Sequence, residues 1–559
     1  MSLDRLGGRP TAAGQAFTTA AWVAAVLAVA AVVRLPRVLA DDFPINDGGF
    51  FFVMINELVG AKLALPLTTS YNGGCIPFTY PPLALYTAAA VHLATGASIL
   101  GLLRFLPLIA NLGTAAVFFF LARSVLGTAS RAGLASLTFV LLPRSYEYLI
   151  MGGGLTRSFG FLFACLAVAC GHRLFVGRRT AAGVPTAVAL ALAVLSHPEM
   201  GLWAAATLVL VVAVCGPDRR TIVAAAFVAV GAAAITSPWL VAMLTRHGLA
   251  PFLAASETSN WSLRALLGPL ARGAAGEVGV APFVILAFVG VLDAIVRREF
   301  FLPVWLVVTF AVVPRSAATP AVVPVALLAT RALVGVVLPW LQRFLGGWTA
   351  LWRGAPGELG QETRRRALRA IQAAVLVPAF GYTLIISNLR RTPEDWPSMR
   401  RVPPAERVAM AWIAANVGEG HRFLVASANR SWWVDPVDAW FAALAGRVSV
   451  TTPNGAEWLP RSEFARRVQE YEALRRCGSV DAACLDALSA RFGLQFSDVY
   501  VSKPTRATSA RAAAPKATLA ASDGFVVIYD GPGATVFAKR EAVTDRVHPV
   551  PPARDAVVR

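Results

Sequence analysis

The sequence predicts an α-helical polytopic membrane protein with a C-terminal α/β domain on the outer side of the membrane. The chain has 559 residues, of which 56% are hydrophobic and 15% are charged, whereas soluble domains usually carry about 25% charged residues. Apolar runs near the length that crosses a bilayer, about 20 residues, recur up to about residue 390. Beyond that point charges become frequent and the periodicity is mixed. We therefore expect a membrane domain over residues 1–389 and a soluble domain over residues 390–559.

About eleven membrane spans are predicted from the apolar runs. The first is interpreted as a span rather than a cleaved signal peptide, because Arg34 and Arg37 would lie between its apolar region and the cleavage site. The predicted spans cover residues 16–33, 102–122, 132–150, 157–175, 182–197, 200–215, 221–242, 278–296, 300–314, 316–338 and 370–388.

The basic residues set the expected orientation of these spans. The segment 81–96, "PPLALYTAAAVHLATG", is short for a span, and its crossing would reverse everything after it. If it does not cross, most flanking arginines face the cytoplasm, as the positive-inside rule requires. Residues 38–101 then form one external loop with surface helices, and residues 390–559 share its compartment. This predicts a multi-pass protein of the cytoplasmic (inner) membrane with an extracytoplasmic C-terminal domain.

The net charge of +19 is explained by the arginines that flank the predicted spans. The arginines mostly flank apolar runs, so membrane topology and anionic lipid account for them better than nucleic acid does. We expect the membrane as a partner and no nucleic acid.

The external loop opens with an aspartate and two glycines, in "NDGGFFFVMINELVG". Apolar residues at helical spacing follow and predict a helix that lies in the membrane surface; they are Phe51, Met54, Ile55, Leu58 and Val59. Asp47 stands at the start of this helix, beside glycines that allow a ligand to approach closely. It is interpreted as a general base for a substrate delivered from the lipid. The alternative is that Asp47 only caps the helix.

The order of motifs resembles the GT-C superfamily of integral-membrane glycosyltransferases. A first span is followed by a long external loop with an early acidic motif, then by "YPPLALY" and by "RFLPLIANLGTAAVFFFLAR". The likeness covers about residues 17–200 and is greatest to the branch with protein mannosyltransferases and aminoarabinose transferases. That family often has Asp-Glu where this chain has Asp47–Gly48, and often a lysine where Tyr80 stands.

The resemblance implies an inverting glycosyltransferase. It would move a hexosyl or pentosyl group from a polyprenyl-phosphate donor to a lipid, glycan or protein acceptor on the outer face of the membrane, as part of cell-envelope chemistry. Asp47 would be the base, and Asp41 and Asp42 are further catalytic candidates. No glycine loop typical of nucleotide binding stands between a strand and a helix.

Outward-facing ionisable groups supply candidates for binding the donor phosphate or the substrate. Arginine suits a lipid phosphate, and charges near spans are costly unless they function, although snorkelling and local pairing are the alternative. The candidates are Arg144, Arg157, Glu147, Tyr80, Arg104, His197, Glu199 and Arg331, with Arg315 as a further arginine. An Asp/His/Glu set is compatible with a divalent metal, but no spacing signature predicts a metal site or any other cofactor.

The region after residue 390 reads as a small α/β domain. Helices are expected at "PPAERVAMAWIAANV" and "RSEFARRVQEYEALRR", strands at "RFLVAS" and "SDVYVSK", and a hairpin at "GFVVIYDGPGATVFAKR". Its tryptophans at 432, 433, 440 and 458 are interpreted as core or as contacts to the membrane domain, with sugar stacking as the alternative. Cys477 and Cys484 are expected to form a disulfide.

Two functions from other classes stay open. One is a transporter or lipid flippase for an anionic substrate, although the internal repeats typical of transporters are not evident. The other is a non-catalytic membrane assembly or sensor protein whose external domain does the binding.

Overall fold

The computed structural model describes residues 12–258, 281–344, 370, 373, 374, 376–390, 396–427, 429, 431–477, 479–503 and 516–542. Its first part is helical. The helices before residue 390 are α1 (Ala12–Leu39), α2 (Gly49–Gly60), α3 (Pro82–Thr95), α4 (Ile99–Leu126), α5 (Ala129–Leu141), α6 (Leu155–Phe175), α7 (Gly183–Ser196), α8 (Pro198–Cys215), α9 (Arg219–His247), α10 (Ala250–Glu257), α11 (Ala281–Val296), α12 (Phe301–Val312), α13 (Val322–Ala332) and α14 (Leu376–Ile386).

Each of the eleven predicted spans coincides with an apolar helix. Six helices are long and apolar enough to cross a membrane; they are Ala13–Leu39, Ile99–Leu126, Gly152–Phe175, Pro198–Cys215, Arg219–His247 and Val322–Phe344. The remaining five coincide with shorter apolar helices, so the count of eleven stays a prediction. The segment 81–96, expected not to cross, forms α3 and packs against α2 and α4.

The span predicted at 132–150 is shorter than expected. Its helix, α5, ends at Leu141, because Pro143 disfavours helical geometry at the residue before it and Leu142 is extended, with φ −70° and ψ 120°. Two short 3₁₀ turns, Pro143–Ser145 and Gly152–Gly154, then lead into α6. The irregular stretch between α5 and α6 presents its backbone to the external loop.

The C-terminal region is an α/β unit, as predicted. Its helices are α15 (Pro404–Asn416), α16 (Pro436–Ala445), α17 (Arg461–Arg475) and α18 (Ala482–Phe492). Its strands are β3 (Arg422–Ala426), β4 (Val448–Ser449), β5 (Ser479–Val480), β6 (Asp498–Ser502), β7 (Lys516–Ala517), β8 (Phe525–Asp530) and β9 (Ala534–Lys539), which follow β1 (Thr68–Thr69) and β2 (Ile76–Pro77) of the external loop.

The main sheet of this unit has the strand order β4-β3-β6-β9-β8. Strand β3 runs parallel to β4 and β6, whereas β9 runs antiparallel to β6 and β8. The two helices, the two strands and the hairpin expected from the sequence are all confirmed. The structure also joins Cys477 and Cys484 in the expected disulfide. The boundary at residues 389 and 390 stays a prediction.

The apolar face of α2 is buried by protein rather than by lipid. Phe51, Met54, Ile55 and Leu58 are buried, Val59 half-buried, and α2 packs against α3 and against α16 of the C-terminal unit. A Cβ added at Gly49 would lie 2.4 Å from the Ala439 carbonyl oxygen of α16. The prediction of a helix with one buried apolar face is confirmed, with α3 and α16 covering that face, and its placement on the membrane surface stays a prediction. The external loop and the C-terminal unit therefore share one core.

Candidate active site

A cavity of about 1720 Å³ lies where the membrane helices, the external loop and the C-terminal unit meet. Its polar and aromatic walls come from all three parts. Those residues include Asp47, Tyr80, Arg144, Tyr148, Arg157, His197, Glu199, Arg315, Trp432, Trp433, Asn454, Glu457, Trp458 and Phe464. Another wall is apolar and is formed by α11, α12 and α13, through Val284, Phe288, Leu306, Phe310, Val322 and Val325.

Asp47 is held against the glycine turn that precedes α6. The Gly153 amide donates to the Asp47 backbone oxygen at 3.0 Å and to its carboxylate Oδ1 at 3.2 Å. A Cβ added at Gly153 would lie 2.5 Å from the carboxyl atoms, so only glycine leaves room for them. Gly48, not Asp47, is the N-cap residue of α2, and no side chain caps that helix. The local geometry therefore does not support a capping role for Asp47.

The C-terminal unit holds the other side of the same loop. The indole nitrogen of Trp440 donates to the Asn46 carbonyl at 2.8 Å, and the Asn46 amide donates to the Arg400 carbonyl at 2.7 Å. Asn46 has a positive φ of 53°, a conformation that asparagine tolerates better than most residues. Asp47 is thus fixed by backbone contacts on both sides, with its carboxyl group on the cavity.

Burial and a nearby arginine act on the Asp47 carboxyl group in opposite directions. Burial raises its pKa, whereas the positive charge of Arg157 and the Gly153 amide lower it, and the net pKa lies above the ordinary value of 3.8. A carboxylate with a raised pKa is a stronger base than an ordinary aspartate. Perturbed acids in clefts are typical of functional sites.

Two arginines face the cavity without a carboxylate partner. Arg157 stands in the first turn of α6, and within the described residues it forms no ion pair; its Nη1 donates to the Tyr148 carbonyl at 3.4 Å and its Nε makes no hydrogen bond. Arg315 follows α12, donates to the Thr258 hydroxyl and likewise has no ion pair in the described part of the chain. Guanidinium groups that no carboxylate contacts directly keep donors available for a phosphate.

Arg144 also lines the cavity but is partly neutralised. It pairs with Glu147 at 3.4 Å and lies over the Tyr148 ring at 5.0 Å. Glu147 in turn accepts a hydrogen bond from the Ser398 hydroxyl and is buried beside the cavity. Glu147 is therefore placed to position Arg144 rather than to touch a ligand.

His197 and Glu199 lie on the cavity wall at the turn between α7 and α8. His197 is buried, and its Nδ1 has no hydrogen-bond partner within the described residues. Among the described residues, no group of three or more His, Cys, Asp or Glu side chains is arranged to hold a metal ion.

The other sequence-predicted site residues lie away from the cavity. Asp41 and Asp42 both pair with Arg407, at 3.3 and 2.8 Å. Arg104 donates to the Val38 carbonyl at 3.2 Å and to the Asp41 carbonyl at 2.5 Å. These contacts tie the end of α1 to α4 and α15.

Arg331 also has a local explanation. It pairs with Asp293 at 3.0 Å and with Glu299, and none of the three lines the cavity. These groups compensate the arginine within an apolar region, as such charges require. Tyr80, in contrast, lines the cavity and packs edge-on against Phe51, with ring centroids 4.8 Å apart.

Glu457 is a cavity residue that the sequence did not single out, and the tryptophans of the C-terminal unit divide between core and cavity. Glu457 lines the cavity from a short turn of the C-terminal unit, Ala456–Trp458. Trp440 is fully buried, as expected for core, but Trp432, Trp433 and Trp458 line the cavity instead. The available signal was the polar, glycine-containing stretch "TPNGAEW", although nothing in it shows which surface it faces.

Comparison with known proteins gives one family match. Residues 78–334 match a family described as "6-pyruvoyl-tetrahydropterin synthase related domain; membrane protein", which is less than half of the chain. No curated protein matches the sequence.

Solved structures resemble almost the whole chain. ArnT from Cupriavidus metallidurans bound to undecaprenyl phosphate superposes with a TM-score of 0.57 at 16% identity, over 94% of this chain and 98% of ArnT. The oligosaccharyltransferase AglB from Archaeoglobus fulgidus, in complex with an inhibitory peptide and a dolichol-phosphate, gives 0.52 at 14% identity, over 87% and 69%. The arabinofuranosyltransferase AftD from Mycobacteria gives 0.56 at 17% identity, over 93% of this chain and 40% of AftD.

These likenesses define the class of fold. The chain is a membrane protein with the GT-C fold, followed by a C-terminal sheet-containing unit. The fold predicted from the sequence is therefore confirmed.

Proposed function

We propose that this protein is an inverting glycosyltransferase that uses a polyprenyl-phosphate sugar as donor. The observation that carries the proposal is the cavity itself, which joins an apolar wall, a half-buried aspartate and two arginines that form no ion pair within the described residues. ArnT and AglB, which share the fold, are described in complex with undecaprenyl phosphate and dolichol-phosphate. The likeness supports a lipid phosphate as the ligand here.

The apolar wall suits the lipid part of such a donor. Residues of α11, α12 and α13 form it, including Phe288, Leu306 and Val325, and these helices lie in the predicted membrane domain. A polyprenyl chain can remain in contact with apolar side chains there while its phosphate reaches the polar end of the cavity. The donor would enter from the membrane without leaving an apolar environment.

Arg157 and Arg315 would bind the donor phosphate. Both line the cavity and neither is neutralised by an acidic side chain in the described residues. Charge-assisted hydrogen bonds from guanidinium to phosphate are among the stronger contacts in proteins. They gain strength as negative charge develops on the leaving phosphate, so they favour the transition state. Arg144 would support them at the edge of the site.

Asp47 would act as the general base. An acceptor hydroxyl oxygen attacks the anomeric carbon of the donor sugar while the bond from that carbon to the phosphate oxygen breaks. The electron pair of that bond leaves with polyprenyl phosphate, and the hydroxyl proton passes to the Asp47 carboxylate. A single displacement inverts the anomeric configuration.

The proposed site would lie on the outer face of the cytoplasmic membrane. The orientation predicted from the arginines supports this, and so does the Cys477–Cys484 disulfide, because disulfides persist in oxidising compartments. The acceptor would then be a lipid, glycan or protein of the cell envelope.

The test is donor turnover by the purified full-length protein in lipid nanodiscs. Polyprenyl-phosphate sugars, radiolabelled in the sugar and presented with a membrane extract as acceptor source, should release free polyprenyl phosphate and label an acceptor. Arg157→Ala should weaken donor binding by about 10- to 100-fold, the worth of a charged hydrogen bond. The matched control is Arg178→Gln, which removes an exposed arginine paired with Asp218 at 2.8 Å. Turnover of nucleotide sugars instead, or transport of an anionic lipid without bond cleavage, would contradict the proposal.

A further inference from the structure

We propose that Asn454, Glu457 and Trp458 of the C-terminal unit, together with Tyr80 of the external loop, form a subsite that binds a sugar ring of the acceptor. This inference rests on the proposed glycosyltransferase function and names its acceptor class as a glycan. The four side chains line the cavity.

Two inclined aromatic rings form the apolar part of the subsite. Tyr80 and Trp458 contact each other with centroids 5.2 Å apart and ring planes inclined by 63°. Both side chains are half-buried, so part of each ring remains open to the cavity. A sugar ring has an apolar C–H face, and this face can pack on the apolar face of a tyrosine or tryptophan ring.

The polar part of the subsite offers a donor and an acceptor side by side. The Asn454 side-chain nitrogen is buried and has no hydrogen-bond partner within the described residues. Such an orphaned amide calls for a ligand or ordered water. Glu457, three residues further along the same turn, presents a carboxylate to the cavity. Sugar hydroxyls both donate and accept, so they match this amide and carboxylate together.

The turn that carries these groups is held in place. Gly455 has φ 86°, and a Cβ there would lie 3.0 Å from Ile76 and 3.2 Å from Phe50, so the turn packs closely on the external loop. The short helix Ala456–Trp458 also packs against α10 and α17. A subsite on a fixed turn orients its ligand without an ordering cost.

The position of the subsite favours the acceptor over the donor. The apolar wall and Arg157 belong to the membrane helices, whereas Asn454, Glu457 and Trp458 belong to the C-terminal unit. Gly455 packs on Phe50 and Tyr80 packs on Phe51, and both phenylalanines lie in the first turn of α2, which begins two residues after Asp47. A base must lie beside the acceptor hydroxyl, so a sugar held next to Asp47 on the side away from the lipid wall is the acceptor.

The experiment measures sugar binding and donor binding separately on the full-length protein in nanodiscs. A panel of hexose and pentose oligosaccharides, two to five residues long, is screened by saturation-transfer NMR. We expect at least one to bind the parental protein, and Trp458→Ala to weaken that binding by about tenfold or more. Trp458→Phe should keep most of it, which separates a lost ring from a misfolded turn. Asn454→Ala and Glu457→Gln should weaken it as well. The affinity for the polyprenyl-phosphate donor should stay unchanged in the Trp458 and Asn454 variants, because neither side chain carries a charge that acts on Arg315.

The matched control is Trp412→Ala, which removes a tryptophan that packs on Tyr529 away from the cavity. It should leave oligosaccharide binding at the parental level. If no oligosaccharide binds at millimolar concentration, or if Trp458→Ala weakens donor and oligosaccharide equally, the acceptor subsite is overturned. Displacement of the bound sugar by a peptide with a higher affinity would assign the site to a protein acceptor instead. Failure of all donors to turn over, with sugar binding intact, would overturn the proposed function but not the subsite.

Discussion

One short loop places aspartates in opposite surroundings. Asp41 and Asp42 follow α1 and share the guanidinium of Arg407, so their charges are matched by a cation of the C-terminal unit. Asp47, a few residues further on, is held by the Gly153 backbone and faces the cavity. No ion pair of Asp47 occurs among the described residues.

The difference separates a structural carboxylate from one available for chemistry. A paired aspartate contributes to the junction between two parts of the fold. A half-buried aspartate whose carboxylate accepts from a backbone amide keeps lone pairs free for a substrate proton. Aspartates that are close in the sequence can therefore have different roles. The residues that contact them, Arg407 and Gly153, lie more than 100 residues further along the chain.

The largest expected effect comes from removing the base. Asp47→Asn keeps the size of the side chain and its ability to accept from Gly153, but removes the proton acceptor. We expect kcat to fall by about 100-fold or more, the range that a general base supplies, with the donor still bound. Asp41→Asn and Asp42→Asn should stay within about fivefold of the parental rate, since ion pairs that solvent reaches are worth about 1 kcal/mol or less. Steady-state release of polyprenyl phosphate measures all three.

The assignment of Asp47 as the base would be contradicted if the loss of rate were larger in the other two aspartate variants. A parental rate in Asp47→Asn, together with a large loss in Asp41→Asn or Asp42→Asn, would move the base to the paired aspartates. The apparent melting temperature of each variant should stay near that of the parent, which excludes unfolding as the cause of a lost rate.

The second effect concerns the pH dependence of Asp47. Burial raises the pKa of its carboxyl group and Arg157 lowers it. Only the ionised form accepts a proton, so kcat/KM should fall as the pH drops through this raised pKa. Arg157→Gln removes the lowering charge, so the acidic limb of the profile should move to higher pH. Arg178→Gln should leave the limb in place. A limb that stays still or moves to lower pH in Arg157→Gln would show that Arg157 does not act on the base.

A smaller effect is expected at the contact that holds the loop from outside. Trp440→Phe removes the indole N–H that donates to the Asn46 carbonyl while keeping an aromatic ring in the buried position. The lost hydrogen bond is worth about 1 kcal/mol, so kcat should fall by about three- to tenfold through a less well positioned Asp47, with donor affinity unchanged. Trp412→Phe is the matched control. An unchanged kcat in Trp440→Phe would show that the glycine turn alone positions the base.

The membrane part of the fold was predictable because hydropathy and length decide which segments cross. The face of α2 was predictable too, since the spacing of Phe51, Met54 and Leu58 shows that one side is buried. The spacing does not show what buries it, and in the structure α3 and α16 pack against it. The early end of α5 was signalled by Pro143, but the apolar run continues past it and hid the break.

The site was only partly predictable for the same reason. Asp47 and Arg157 stand out as polar residues among glycines at the ends of apolar runs. Glu457 and Trp458 stand in an ordinary polar turn, and only the packing of Gly455 against Ile76 and Phe50 brings them to the cavity. Contacts between segments so far apart in the chain leave no local pattern.

The smallest expected effect on activity concerns an acid that is neither paired with a cation nor on the cavity. Glu406 in α15 is buried, and the hydroxyls of Tyr500 and Ser502 each donate to its Oε2 at 2.9 Å. Burial raises its pKa from 4.5 to about 8, against the lowering effect of those two hydroxyls and with a further rise from the charge of Asp435. Between these values the folded protein holds a proton that the unfolded chain has lost, so stability falls as the pH rises from about 4.5 to about 8. Glu406→Gln cannot ionise and lacks this contribution. The free energy of unfolding of the variant, relative to that of the parent, should therefore rise steadily from pH 5 to pH 8, by at most about 1.4 kcal/mol per pH unit. Its kcat at pH 7 should be unchanged. A constant difference across this range would show that Glu406 is ionised in the folded protein and that its hydroxyl partners outweigh its burial.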